Sequence, residues 1–359
     1  MLLAVLVSSA IFAAPVAPAE PFVDGLVARH VAALGGAERL QAIRSRIERG
    51  RYREGTFEIA TYAAYRRPFY RVIGEPANAL TEIHEAYDGS AWEYYPDPGI
   101  VVRTVGPAAA ASRHGAAFDD PLVDYALHGT AIADGGDVTI DGHASRLLHV
   151  TLADGFTEDV YVDRASEMIV AMERTVPMHA FGERLRTHNE LSDYRPEGGV
   201  LYPHRFREID TATGRLLTES TVGTIEINPD LPLASFSPPA WERTPLQTMV
   251  QRIYDEREEP VAVMATYRDF RAAYPLGAAE ADAVDFVGYQ CLKMGHAETA
   301  VTLLSANVSA FPKSARAHYG LGRALKEQGK NEPAAAEFRA ALAIDPAYAR
   351  ARTALDQLR

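Results

Sequence analysis

The chain has 359 residues, 47% of them hydrophobic and 23% charged, which is enough apolar material for two packed domains. Its formal net charge of −12 repels phosphate backbones and argues against nucleic-acid binding. The single cysteine, Cys291, excludes an internal disulfide. Of 36 basic residues only Lys293, Lys313, Lys326 and Lys330 are lysines, all near the C-terminus, which points to two segments of different character.

The first residues read as a leader rather than as structure. Leu2–Phe12 is a short apolar run, followed by Ala13-Ala14-Pro15 and by Ala17 and Ala19, an A-x-A cleavage pattern before Glu20. The expectation is a signal peptide over 1–19 and a soluble, exported, periplasmic product. No other segment is long and apolar enough to predict a membrane helix. Phe22, Leu26, Val27, His30, Val31 and Leu34 then recur at helical spacing, and Gly35-Gly36 stops the helix. A second turn follows from Glu38 to Ile43.

From about residue 46 to residue 228 the pattern changes to strands. Thr56-Phe57-Glu58-Ile59 and Asp159-Val160-Tyr161-Val162-Asp163 alternate, and Asp88-Gly89, Asp141-Gly142 and Asp154-Gly155 mark hairpins. Pro121–Leu127 predicts a short helix with proline in its first turn. Roughly ten strands, joined mainly by hairpins, predict a meandering antiparallel sheet. The proline-rich stretch Pro229–Pro245, with Pro238-Pro239, marks a boundary. Beyond it the period is helical to the end. Val263, Tyr267, Phe270 and Tyr274 define one face of a helix starting at Pro260.

The clearest internal signal is a repeat of 34 residues. Gly288 matches Gly322, Gly295 matches Gly329, Ala300 matches Ala334, Leu304 matches Phe338, and Pro312 matches Pro346. The first glycine lets two helices approach, the second turns the chain, and the alanine sits at the helix crossing, where a larger side chain would push the helices apart. Asn307 stands where the first unit should carry a small residue. The pattern resembles the tetratricopeptide (TPR) family, with repeats over 281–314 and 315–348 and a capping helix to 358, inside a helical region of 246–359. TPR arrays bind peptides or proteins on a concave face. Arg316, Tyr319, Arg323 and Lys326 share one stripe suited to an acidic peptide or a C-terminal carboxylate. The first repeat offers Asp282, Asp285 and Tyr289 at the corresponding places.

The N-terminal two-thirds resembles the LolA-like superfamily of lipoprotein-sorting carriers over residues 22–240. The resemblance rests on Ala33-Leu34-Gly35-Gly36 with Leu40 and Ile43, on Tyr87-Asp88-Gly89 with Ala91-Trp92, and on Phe118-Asp119-Asp120-Pro121-Leu122. Ile140-Asp141-Gly142, Ser192-Asp193-Tyr194-Arg195, Gly199-Val200 and Pro203 complete it. It implies an α+β chain: an antiparallel half-open β-barrel capped by helices, followed by the α-helical TPR array. The family's apolar concave face receives acyl chains, each buried CH₂ contributing about 0.8 kcal/mol. Candidate lining residues here are Phe57, Ile59, Tyr62, Trp92, Leu148, Val150, Val160 and Val162, each of which also suits plain core packing.

Signals for chemistry are few. There is no H-E-x-x-H, no G-x-S-x-G and no S-x-x-K, and no glycine-rich loop follows a strand. His84, His143, His149, His188 and His204 fall on expected strands. Only His143 and His149 share a strand face, six residues apart and too far for joint ligation, although distant strands could bring others together. Asp119-Asp120 reads as a helix N-terminus. The reading is therefore a non-enzymatic envelope binding protein without catalytic residues, metal or cofactor. The barrel takes a lipid or acylated ligand and the TPR segment a protein partner. The alternatives are an envelope scaffold binding through the TPR surface alone, and a hydrolase assembled from distant strands.

Overall fold

The computed structural model describes residues 21–55, 57–68, 70–77, 80–95, 99–104, 106–177, 184–238, 243–275 and 277–358. The expected leader lies outside them. The order begins with helices α1 (Pro21–Leu34) and α2 (Ala37–Ala42), then strands β1 (Ser45–Glu54), β2 (Phe57–Arg66), β3 (Tyr70–Ala77), β4 (Leu80–Tyr87), β5 (Ala91–Tyr95) and β6 (Ile100–Arg103). After α3 (Gly106–Gly115) come β7 (Ala131–Ile140), β8 (His143–Thr151), β9 (Thr157–Asp163), β10 (Ile169–Pro177), β11 (Arg184–Glu197), β12 (Val200–Asp210) and β13 (Leu216–Ile227). Helices α4 (Pro245–Asp255), α5 (Pro260–Ala273), α6 (Ala278–Lys293), α7 (Ala297–Ala310), α8 (Ala315–Glu327), α9 (Asn331–Ile344) and α10 (Ala349–Asp356) complete the chain.

The strands form one open sheet in the order β6-β5-β4-β3-β2-β1-β13-β12-β11-β10-β9-β8-β7. The fold is α+β, an open antiparallel sheet with C-terminal helices, as the sequence predicts. Thirteen strands are described rather than ten, because the stretch before Asp88 holds four. Among the described strands the only non-sequential neighbours are β1 and β13, paired from Arg46↔Ile227 to Glu54↔Thr218. By compactness the chain divides into two units. One holds residues up to Glu82, Ala86–Gly89 and Gly106–Phe236; the other holds Ile83–Glu85, Ser90–Val105 and Ser237–Arg359.

In the first unit, α1 buries Leu26, Val27, His30 and Leu34 of the expected face together with Val23, while Phe22 is exposed and Val31 half-buried. Val23, Leu26 and Val27 pack with Leu148, Val150, Val160 and Val162 of β8 and β9. Gly35 ends the helix at φ 133°, and a Cβ there would sit 2.4 Å from the Gly199 carbonyl oxygen, so the β11–β12 turn sets where α1 stops. Asp141 and Gly142 have φ 50° and 82° and join Ile140↔His143 in a two-residue hairpin, as the Asp-Gly pair demands. The expected helix over Pro121–Leu127 is instead a run of turns. Asp124 takes φ 51°, outside the helical region, and the Asp120 carboxylate accepts from the Leu122 amide at 2.9 Å.

The second unit is built on the repeat. A Cβ on Gly288 would meet Leu304 at 2.7 Å, and one on Gly322 would meet Phe338 at 2.5 Å, so each glycine admits the large apolar residue of the following helix. Asn307, the departure in the first repeat, is fully buried and donates to the Ala281 carbonyl at 2.9 Å, which satisfies its amide nitrogen between α7 and α6. A capping box starts α4: Thr244 accepts from the Gln247 amide and Gln247 accepts in return from the Thr244 amide. The β5–β6 hairpin belongs to this unit. Gln251 of α4 accepts from the Val101 amide at 2.8 Å and donates to its carbonyl at 3.1 Å.

Candidate functional site

A cleft of about 190 Å³ opens in the first unit between the α1–α2 pair, the segment 117–123 and the sheet. Its apolar lining comes from Leu34 and Leu40 of the helices, Val123, and Ile169, Leu191, Val200 and Phe206 of β10–β12. Its polar lining is a set of charged groups carried by β1, α1 and the 117–123 segment: Arg46, Glu48, His30, Asp119 and Asp120. Tyr194 and Tyr202 complete the wall.

Arg46 is the centre of that polar set. Its guanidinium lies 4.2 Å from the Tyr65 ring centroid, 4.6 Å from Phe118 and 5.3 Å from Tyr202. It donates to Glu48 at 2.7 Å and to the Phe118 carbonyl at 2.7 Å. Burial works against this charge, but the charge interactions with Glu48, Tyr65 and Tyr202 and the hydrogen bond to Glu48 outweigh it and the guanidinium pKa is raised, so Arg46 stays cationic. Arg67 makes a second anchor. It pairs with both oxygens of Asp119, donates to the Leu40 and Ile43 carbonyls at the end of α2, and lies over the Phe118 ring at 4.5 Å.

The third anchor is His30. Its Nδ1 lies 2.7 Å from the Glu167 carbonyl oxygen and its Nε2 3.2 Å from Asp120. A carbonyl only accepts, so Nδ1 donates, and Nε2 gains from the carboxylate only when it too carries a proton. The charges agree: burial disfavours the imidazolium, yet Asp120 and Glu167 raise the His30 pKa overall, while the paired Asp120 is held below the usual carboxylate range against its own burial. Arg46, Arg67 and His30 thus tie the 117–123 segment to β1, to the ends of β2 and α2, and to α1. The Tyr194 hydroxyl donates to the Ile169 carbonyl at 2.6 Å and stiffens the floor.

The lining residues expected from sequence fall elsewhere. Leu148, Val150, Val160 and Val162 are buried in the core beneath α1. Trp92 is fully buried in the second unit. Ile59 and Tyr62 are half-buried on β2, with Arg49 lying 5.6 Å from the Tyr62 ring, and the Phe57 side chain lies outside the described residues. None of the seven with described side chains lines the cleft. What the sequence reading missed was chiefly Arg46 and Glu48, two neighbours on one strand face. Signals for the others were present: His30 sat within an apolar helical stripe, and Phe118-Asp119-Asp120 stood out as a motif. Asp119-Asp120 heads a run of turns rather than a helix, and its carboxylates reach Arg67 and His30.

In the helical unit the stripe on α8 meets the corresponding stripe on α6. Arg316 donates to Asp285 at 2.9 Å and lies 3.4 Å from Asp282. Arg323 lies 4.0 Å from the Tyr289 ring and 5.0 Å from Tyr319, with Lys293 over Tyr289 at 5.5 Å. Tyr319 packs against Tyr348 at 5.3 Å and Lys326 donates to Gln357 at 2.9 Å. The acidic pair of the first repeat therefore takes up Arg316, and the stripe presents a mixed aromatic and cationic surface.

Residues 292–358 match the tetratricopeptide repeat family model. No curated protein matches the chain. Among solved structures, a DUF1329 family protein from Desulfovibrio piger is similar at 12% identity and TM-score 0.40, over 60% of this chain and 97% of that one. A LolA superfamily protein from Nitrosomonas europaea is similar at 14% identity and TM-score 0.38, over 58% of this chain and 96% of that one. Among the described residues no helix is long and apolar enough to cross a membrane.

Proposed function

We propose that this is an exported, periplasmic, non-enzymatic binding protein whose sheet unit takes an apolar or acyl group and whose TPR segment engages a protein partner. The observation that carries the reading is the cleft itself. It has an apolar wall shared by α1, α2 and β10–β12, and it is closed on one side by a short segment held through a few polar ties rather than by packing alone. Its volume of about 190 Å³ is below the roughly 300–1,000 Å³ of small-molecule sites. A long acyl chain therefore enters only as the 117–123 segment moves away from α1. The lining holds no serine, threonine, cysteine or lysine, and His30 spends both nitrogens on structural partners, which favours holding over covalent chemistry.

The test is native mass spectrometry of the protein purified from the envelope, followed by titration of the stripped protein with a fluorescent fatty acid. Leu191→Trp fills the cleft and is expected to weaken the probe at least tenfold with an unchanged melting temperature. Equal binding by the variant removes the cleft as the site, and no binding by either protein leaves the scaffold reading. N-terminal sequencing of the exported form is expected to start at Glu20, and a product that retains Met1 overturns export through the 1–19 leader.

A further inference from the structure

The first unit carries a second polar constellation that the cleft does not use. The two-residue turn after β7 brings Asp141 to His188 of β11, with Oδ2 2.7 Å from Nε2. Glu190, two residues further on and on the same side of the strand, completes a trio whose donor atoms all lie within 4.8 Å of one another. Tetrahedral ligands at about 2.05 Å from a zinc-sized ion stand about 3.3 Å apart, so small rotations of Asp141 and Glu190 bring the three into a coordination sphere.

The hydrogen-bond pattern around His188 is the second observation. Its Nδ1 faces a carboxylate as well, Glu173 Oε1 at 3.2 Å. A neutral imidazole has one N–H, so two carboxylate neighbours are both met only when the ring carries a second proton or a cation takes that proton's place. A cation on the Nε2 side does so with a neutral ring. Nδ1–H then donates to Glu173, the carboxylate–histidine–metal arrangement that fixes the ring and its tautomer. The surroundings suit this division of labour. Arg186 holds Glu173 from its other oxygen at 2.8 Å and also grips Asp159. Arg207 donates to one oxygen of Glu190 at 2.6 Å, which leaves the second oxygen for a ligand bond. His188 is nearly buried, whereas Asp141 is exposed, so the site is open to solvent on one side.

We propose that Asp141, His188 and Glu190 form a binding site for a divalent first-row transition ion of the zinc class, with an open fourth position. One imidazole and two carboxylates neutralise a 2+ charge, and the nitrogen donor selects against magnesium and calcium, which take oxygen. The site is separate from the cleft and does not depend on the carrier reading.

Chelator-stripped full chain is titrated calorimetrically with Zn²⁺ and, in parallel, with Mg²⁺, and Co²⁺ supplies a visible absorption band that reports ligand geometry. One equivalent of Zn²⁺ and no heat from Mg²⁺ are expected. Asp141→Asn, in which asparagine tolerates the positive φ of the turn, and Glu190→Gln are each expected to weaken Zn²⁺ at least tenfold and to abolish the Co²⁺ band, at unchanged melting temperature. His149→Ala, which removes a different His–Asp contact on β8, is expected to change neither. Absence of a stoichiometric Zn²⁺ site, or affinity unchanged in both carboxamide variants, overturns the proposal and leaves a ladder of ion pairs in its place.

Discussion

The helical repeats and the cleft show two ways in which a chain brings side chains together. In the repeats, Gly288 admits Leu304 and Gly322 admits Phe338, the same contact made twice at the sequence period. In the cleft, Arg46 touches Glu48 on its own strand but also Tyr65, Phe118 and Tyr202, which arrive from β2, the 117–123 segment and β12. The first arrangement is local and periodic, so sequence spacing reveals it. The second depends on which strands pair and on register, and spacing alone is silent about it.

The largest expected effect breaks the periodic contact. Phe338 is fully buried over Gly322, and Phe338→Ala is expected to cost about 3–5 kcal/mol in urea unfolding followed by circular dichroism. A loss below about 1 kcal/mol would show that the repeat contact is not a stability centre. Next comes the non-local contact. Glu48→Gln leaves Arg46 without its carboxylate and is expected to cost about 3 kcal/mol, while the double change Arg46→Met with Glu48→Met recovers most of that loss. If the single and double variants unfold alike, the pair is not the source of the cost.

A smaller effect concerns pH. Glu93, in the second unit, has its pKa pushed up to about 7, mainly by burial and further by Glu85, with the hydrogen bond from Tyr95 at 2.6 Å working the other way. The folded state therefore holds this proton more tightly than the unfolded chain. Stability contributed by Glu93 is complete below the unfolded pKa of 4.5 and falls as pH rises to about 7. Glu93→Gln is expected to flatten that decline and to raise the melting temperature at pH 8 relative to the parent. His30 acts with the same sign, since its raised pKa makes the tie to Asp120 weaken as pH rises through it. Parallel melting curves for parent and Glu93→Gln from pH 4 to 8 would remove Glu93 from the account. The smallest expected effect is Thr244→Ala, which removes the capping box of α4 and is expected to cost about 1 kcal/mol.

Much of the architecture was legible because it follows from local chemistry. Asp141-Gly142 could only be a tight hairpin, since both residues sit at positive φ where few others are comfortable. Gly35-Gly36 could only end α1. The turn run at Pro121–Leu127 misled because Pro121 and the apolar residues after it mimic a helix start, while the Asp120 side chain holds the backbone in a turn. The expected lining residues on β8 and β9 are packed under α1 and lie outside the cleft. Alternation marks the covered face but does not separate the part packed under α1 from the part left open beside it.

The sequence by itself determined the change from strands to helices after Pro229, the Asp-Gly hairpin turns, the 34-residue repeat and most of the apolar face of α1, because each depends on residues a few positions apart or on a fixed period. Only the tertiary structure decided that Arg46 would lie among three aromatic rings, that His30 would face Asp120, and that Asp141 would reach His188 and Glu190. Those contacts join segments separated by tens of residues, and the pairing of β1 with β13 and the register of β8 to β12 set them.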